Sequence, residues 1–146
     1  MPGIIVGIDG SGHSRKALEW AIKEAAAHHS PLTVVTVHQA AAGYFGNPAS
    51  YPDDVALTEK ATEAARAETE QVLARLGETR PPSITVKAVN GFPVEVLIDE
   101  GKGADMIVLG SRGTGGFARL MLGSTASQVA HHAKCPVLIV PAEERA

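Results

Sequence analysis

The sequence predicts an α/β protein: a parallel sheet of five strands covered by helices on both faces. Three observations lead there. Strand and helix signals alternate from end to end, with no linker, low-complexity stretch or internal repeat between them. All but one of the strand candidates are short, mainly apolar runs, as expected where both faces of a strand are covered. At 146 residues the chain fits one domain, residues 1–146, large enough to bury most of its unfolded surface.

Gly3–Ile8 is the first apolar run and reads as a buried strand. Ser14 then suits a helix cap, because Leu18, Ala21, Ile22 and Ala25 recur at helical spacing after it. Pro31 closes that segment, and Leu32–His38 reads as a second buried strand. A loop, Gln39–Pro52, holds Gly43, Gly46, Pro48 and Pro52, together with Tyr44, Phe45 and Tyr51, half of the six aromatics. This loop is either a lid over the core or a flap that contacts a ligand or partner.

A long Ala- and Glu-rich helix is expected from about Asp53 to Leu76, ended by Gly77 with Pro81 and Pro82 beyond. Ile84–Val89 alternates apolar and polar residues, the pattern of a half-exposed strand at a sheet edge. Pro93 fits the first turn of a helix that points Val94, Leu97 and Ile98 inward. Ala104–Leu109 is the fourth strand, Ser124–Lys134 the fourth helix and Val137–Val140 the fifth strand, stopped by Pro141. Five strands separated by helices or helix-bearing loops make a parallel, doubly covered sheet.

Composition narrows the function classes. The chain is 45% hydrophobic and 20% charged, with a formal net charge of −3. No basic patch supports sequence-independent nucleic-acid binding, which rests on clustered Lys and Arg. The apolar runs are strand-sized, so no membrane span is expected. The amino terminus lacks the basic region and apolar core of a signal peptide, so a cytoplasmic location is the expectation. Cys135 is the only cysteine, which excludes an intramolecular disulfide and suits a small apolar filler.

The chemistry concentrates in two glycine-rich loops. After the fourth strand the chain writes Gly110-Ser-Arg-Gly113, nine residues, then Gly123-Ser124-Thr125. Glycines let backbone N–H groups approach an anion, and the helix opened by Ser124 offers unpartnered amides at the positive end of its dipole. This is a phosphate cradle, and it predicts nucleotide binding. Arg112 lies inside it, either paired with phosphate or solvated.

After the first strand, Gly7-Ile-Asp9-Gly10-Ser11-Gly12-His13-Ser14 nearly spells G-x-x-x-x-G-K-S, but His13 replaces the lysine that supplies a fixed charge. Asp9 and its neighbouring backbone then face a base or ribose at the crevice rim, or the segment is a tight turn with Asp9 or Ser11 capping the helix; the two roles are compatible. Gly113–Ala118 formally matches G-x-G-x-x-A, but it does not open a first βαβ unit and lacks the acidic partner about twenty residues on. The six histidines show no metal-ligand spacing. Ligands of open parallel sheets bind beyond the carboxyl ends of the strands where strand order reverses, so both glycine loops are expected to flank one crevice.

Taken together, the opening "IIVGIDGS", the G-x-x-G-x₉-G-[ST] motif and the closing "CPVLIVP" resemble the universal stress protein family over the whole chain. The resemblance implies a Rossmann-like fold with strand order 3-2-1-4-5. In the ATP-binding branch of that family it implies one ATP per chain, with Mg2+ or Mn2+, and a homodimer formed through the last strand, here Val137–Val140. Transferred by position, adenine would lie against the backbone near Gly7, Ile8, Asp9 and Val37. Leu109, Gly110, Arg112 and Gly113 would wrap the ribose and first phosphates, and Gly123, Ser124, Thr125 and Ala126 would hold the outer phosphates. Ala126 departs from ATP-binding relatives, which often carry a hydroxyl there; Thr125 and Ser127 are the available substitutes. No catalytic set is visible, because phosphoryl transfer needs a charge clamp and an oriented nucleophile. The expected function is an ATP-binding regulatory protein of the stress response, acting on an unknown partner protein or on its own dimer state. A slow ATPase or nucleotidyl-transfer enzyme, and a nucleotide-independent interaction protein, are the alternatives.

Overall fold

The computed structural model describes residues 3–38, 54–111 and 123–141. Its elements run β1 (Ile4–Ile8), α1 (Gly12–Ala27), β2 (Leu32–His38), α2 (Asp54–Leu76), β3 (Ile84–Asn90), α3 (Pro93–Glu100), β4 (Met106–Gly110), α4 (Ser124–His132) and β5 (Val137–Val140). All pairings are parallel, in the order β3-β2-β1-β4-β5. The expected fold class and strand order are both present.

The apolar runs explain the placement. Ile4, Val6 and Ile8 point to one face and Ile5 to the other, as period-two alternation requires, and both faces are covered. On the first face α1 buries Ala17, Leu18, Ala21, Ile22 and Ala25 beside Val72 and Leu73 of α2. On the second, Leu97 of α3 and Val129 of α4 pack on Ile5, Val35, Ile107 and Leu109. The half-exposed character of β3 is also present: among the described residues it pairs only with β2, at the sheet edge.

Five elements have bounds that differ from expectation, among them β1, which starts at Ile4 rather than Gly3. α1 starts at Gly12 with Ser11 as its cap, so Ser14 lies inside the first turn. β3 continues to Asn90, because its pairing with β2 runs on to His38↔Asn90. β4 is Met106–Gly110 rather than Ala104–Leu109, because its pairings begin at Ile4↔Met106 and end at Gly110↔Val140. α4 stops at His132 instead of Lys134, since Ala133 turns extended (φ −65°, ψ 151°) ahead of Pro136. Within α3, Val94, Val96 and Leu97 pack on the core while Ile98 is only half-buried. Cys135 also packs beside this second cluster, as a filler would. The aromatic loop with Tyr44, Phe45 and Tyr51 lies outside the described residues.

Candidate functional site

Strand order reverses between β1 and β4: from β1 the chain crosses through α1 to β2, and from β4 through α4 to β5. Here the sheet parts. The β1–β4 ladder ends at Val6↔Val108. Yet β1 stays paired with β2 to Ile8↔Thr36, and β4 stays paired with β5 to Gly110↔Val140. The last two residues of each central strand therefore diverge, which opens a crevice at the switch point.

One wall is the turn after β1. The Asp9 carboxylate accepts the Ser11 N–H at 2.9 Å, and the Asp9 N–H donates to Ser14 Oγ at 3.1 Å. Ser11 Oγ in turn accepts the Ser14 N–H at 3.2 Å, the ordinary N-cap bond. Gly10 takes φ +84°, a left-handed value that favours glycine. Ser14 is buried, while Asp9 and Gly10 are exposed. So Asp9 shapes the turn through one carboxylate oxygen, while Ser11 provides the cap, and Asp9 remains exposed beside the end of β1. The bracing by Ser14 was missed from sequence, although the Ser11…Ser14 spacing is that of a reciprocal cap.

The other wall is built at β4 and α4. Ser111 N–H donates to the Val140 carbonyl at 2.8 Å, and the Ser111 carbonyl accepts the Gly123 N–H at 2.6 Å. These bonds tie the start of α4 to the end of β4 across the eleven intervening residues. Gly123 is the N-cap, with extended backbone (φ −64°, ψ 157°), and its carbonyl accepts the Ser127 N–H at 2.9 Å. Gly123 itself offers no side chain to cap this helix. Among the described residues, the amides of Ser124, Thr125 and Ala126 have no acceptor. Three converging donors at a helix N-terminus suit an anion such as a phosphate. Ala126 is buried, so it can offer only its amide.

Of the expected residues, Ile8, Asp9, Leu109, Gly110 and Gly123–Ala126 belong to the two walls by their elements. Val37 lies near the end of β2 and packs on the α3–α4 face, whereas Ile8 turns its side chain to the α1–α2 face. Ile8 can therefore meet a ligand only through its backbone. Gly7 has a structural reason to lack a side chain: a Cβ there would sit 2.9 Å from Leu109 Cδ2 and 3.0 Å from Leu97 Cδ2. Its role is close packing under α3. Arg112 and Gly113 lie outside the described residues.

Three converging amides fit phosphate oxygens. A metal ion accompanying a triphosphate would rest chiefly on phosphate and water oxygens, since among the described residues no three His, Cys, Asp or Glu side chains cluster as ligands. Nor is any described helix long and apolar enough to cross a membrane.

The comparisons with known proteins agree with this architecture. Residues 2–141 match the model of the universal stress protein family. A universal stress protein of Mycolicibacterium smegmatis is 36% identical over 99% of this chain and 49% of its own length. The chain thus spans about half the length of the mycobacterial relatives it matches. The solved structure of the universal stress protein UspA from Lactobacillus plantarum superposes with a TM-score of 0.78 at 29% identity, covering 95% of this chain and 97% of that one. Another, a universal stress protein in complex with cAMP, gives 0.67 at 28% identity, covering 95% of each chain. By sequence and by fold, the chain belongs to the universal stress protein family.

Proposed function

We propose that this protein binds an adenine nucleotide, ATP in particular, in the crevice between β1 and β4, and acts in the cytoplasm as a regulator rather than a catalyst. The observation that carries this reading is the set of uncapped amides of Ser124, Thr125 and Ala126, delivered to the mouth of the crevice by the Ser111–Gly123 bond. A similar universal stress protein, solved in complex with cAMP, supports nucleotide binding as such.

In this reading the adenine lies against the backbone of Ile8 and Asp9 beside Val37. Leu109, Gly110, Arg112 and Gly113 wrap the ribose and the inner phosphates, and the α4 amides hold the outer ones. Asp9 contributes its free carboxylate oxygen to the ribose side. When bound with the nucleotide, Mg2+ or Mn2+ would neutralise phosphate charge. Val137–Val140 leaves its outer edge open to a second copy, and nucleotide occupancy would alter partner binding or dimer state.

Equilibrium titration with ATP and Mg2+ tests the reading. Saturable binding in the micromolar to low-millimolar range, accompanied by amide shifts at Ser124–Ala126, is expected. No saturable binding, or shifts confined to other elements, overturns it.

A further inference from the structure

At the opposite end of the sheet from the crevice, a groove of about 520 Å³ runs between α2 and the amino end of β3. Arg66, Thr69, Glu70 and Leu73 line it from α2, spaced so that all four share one helix face. Leu73 and Thr69 are both 2% exposed and form a buried floor, with the Thr69 hydroxyl already donating to the Ala65 carbonyl at 2.7 Å. Arg80, Ile84 and Val86 line it from the strand side.

Both arginines are exposed, and among the described residues neither guanidinium makes an ion pair or hydrogen bond. Lys87, by contrast, is committed to both oxygens of Glu100 at 3.0 Å.

Among the described residues, no strand pairs with the outer side of the strand wall. The Ser83 carbonyl accepts the Leu32 N–H, and the Gly91 N–H donates to the His38 carbonyl, so the odd-numbered residues of β3 face β2. With seven consecutive pairs and no bulge, Ile84, Val86 and Ala88 must aim their amides and carbonyls outward. An edge of this kind is a template for another strand, and a helix lying alongside turns it into a slot for an extended peptide.

We propose that this groove takes an extended acidic segment of a partner protein, which adds to β3 as a further strand and places carboxylates on Arg66 and Arg80. Charge decides the occupant. Two unpaired arginines against the single carboxylate of Glu70 leave the lining net positive, which repels the same lining of a second copy and attracts an acidic strand. Backbone pairing supplies the affinity and the arginines the selectivity, since guanidinium binds carboxylate in a two-pronged geometry. The groove shares no residue with the nucleotide crevice, so this inference stands apart from nucleotide binding.

Selection of a displayed random octapeptide library against the purified protein tests it, with Arg66→Glu/Arg80→Glu as the counter-target. Because both side chains are exposed and unpartnered, the double variant should keep its circular dichroism and melting temperature. Enriched peptides should be acidic, should shift the amides of Ile84, Val86 and Ala88, and should bind the variant at least about tenfold more weakly. No enrichment, basic or uncharged consensus sequences, or equal binding to the variant would each overturn the proposal. So would a change in sedimentation of the variant alone, which would give the edge to a second copy of this chain.

Discussion

Placing a carboxylate at the start of α4 should strengthen the fold and weaken nucleotide binding at once. Ser124 is the first residue of the helix, exposed, and its Oγ only accepts from Gln128 Nε2 at 3.1 Å, a bond an aspartate oxygen can also accept. In Ser124→Asp the new charge meets the positive end of the helix dipole, an interaction of about 0.3–1 kcal/mol. The melting temperature should rise by about 1–4 °C. The same charge would stand about 6 Å from a bound phosphate, where each pair of unit charges costs about 0.7 kcal/mol in water and about 2.8 kcal/mol at an effective dielectric of about 20. Two phosphate charges put the loss of ATP affinity at about tenfold or more.

Calorimetric titration reads the affinity and a thermal melt reads the stability; Ser124→Asn is the neutral control and should bind nearly as the parent does. Added salt should narrow the gap between the two variants. A raised melting temperature with unchanged ATP affinity would refute the reasoning, because the helix end would then be satisfied without the ligand having been near it.

Three further outcomes are expected. Gly7→Ala should cost about 1–3 kcal/mol in urea denaturation, because its Cβ would press on Leu97 and Leu109; Leu97→Val should recover part of this, and strict additivity of the two changes would disprove the contact. Ser14→Ala should cost about 1–2 kcal/mol and speed hydrogen exchange of the Asp9 amide, since it deletes the acceptor that holds it; unaltered exchange would show that the turn stands without Ser14. Partial burial, with Asp105 adding to it against an opposing backbone hydrogen bond at Ile107, raises the Cys135 thiol above its ordinary value of 9.0. The unfolded thiol therefore ionises first, so stability should be full below about pH 9 and fall as pH rises through the folded value, and Cys135→Ser should flatten that decline. An identical alkaline slope in the variant would remove Cys135 as its source.

Much of the fold was legible because its signals are local. The apolar runs at Gly3–Ile8 and Ala104–Leu109, the alternation along Ile84–Val89 and the proline at the start of α3 each declare an element to within a residue or two of its observed bounds. The start of α4 was legible for the same reason, since Gly123-Ser124 marks a helix start directly. What sequence could not show depends on distant partners. Gly7 opens a near-match to the phosphate-loop pattern, and only the fold shows that a Cβ there would also press on Leu97, ninety residues away. Ser11 and Ser14 both satisfy the chemistry of a cap, and only the exit of the chain from β1 decides between them. Arg66 and Arg80 are fourteen positions apart in sequence, and only the docking of α2 against β3 brings both to one groove.

The bonds joining Asp9, Ser11 and Ser14 give that rim its shape when the chain folds, before any guest arrives. A loop already held in one conformation loses little freedom on contact, so entropy opposes association less there than at a loop that must first be ordered. Heat capacity measured on binding should accordingly report desolvation of the crevice, with no added contribution from folding of this turn.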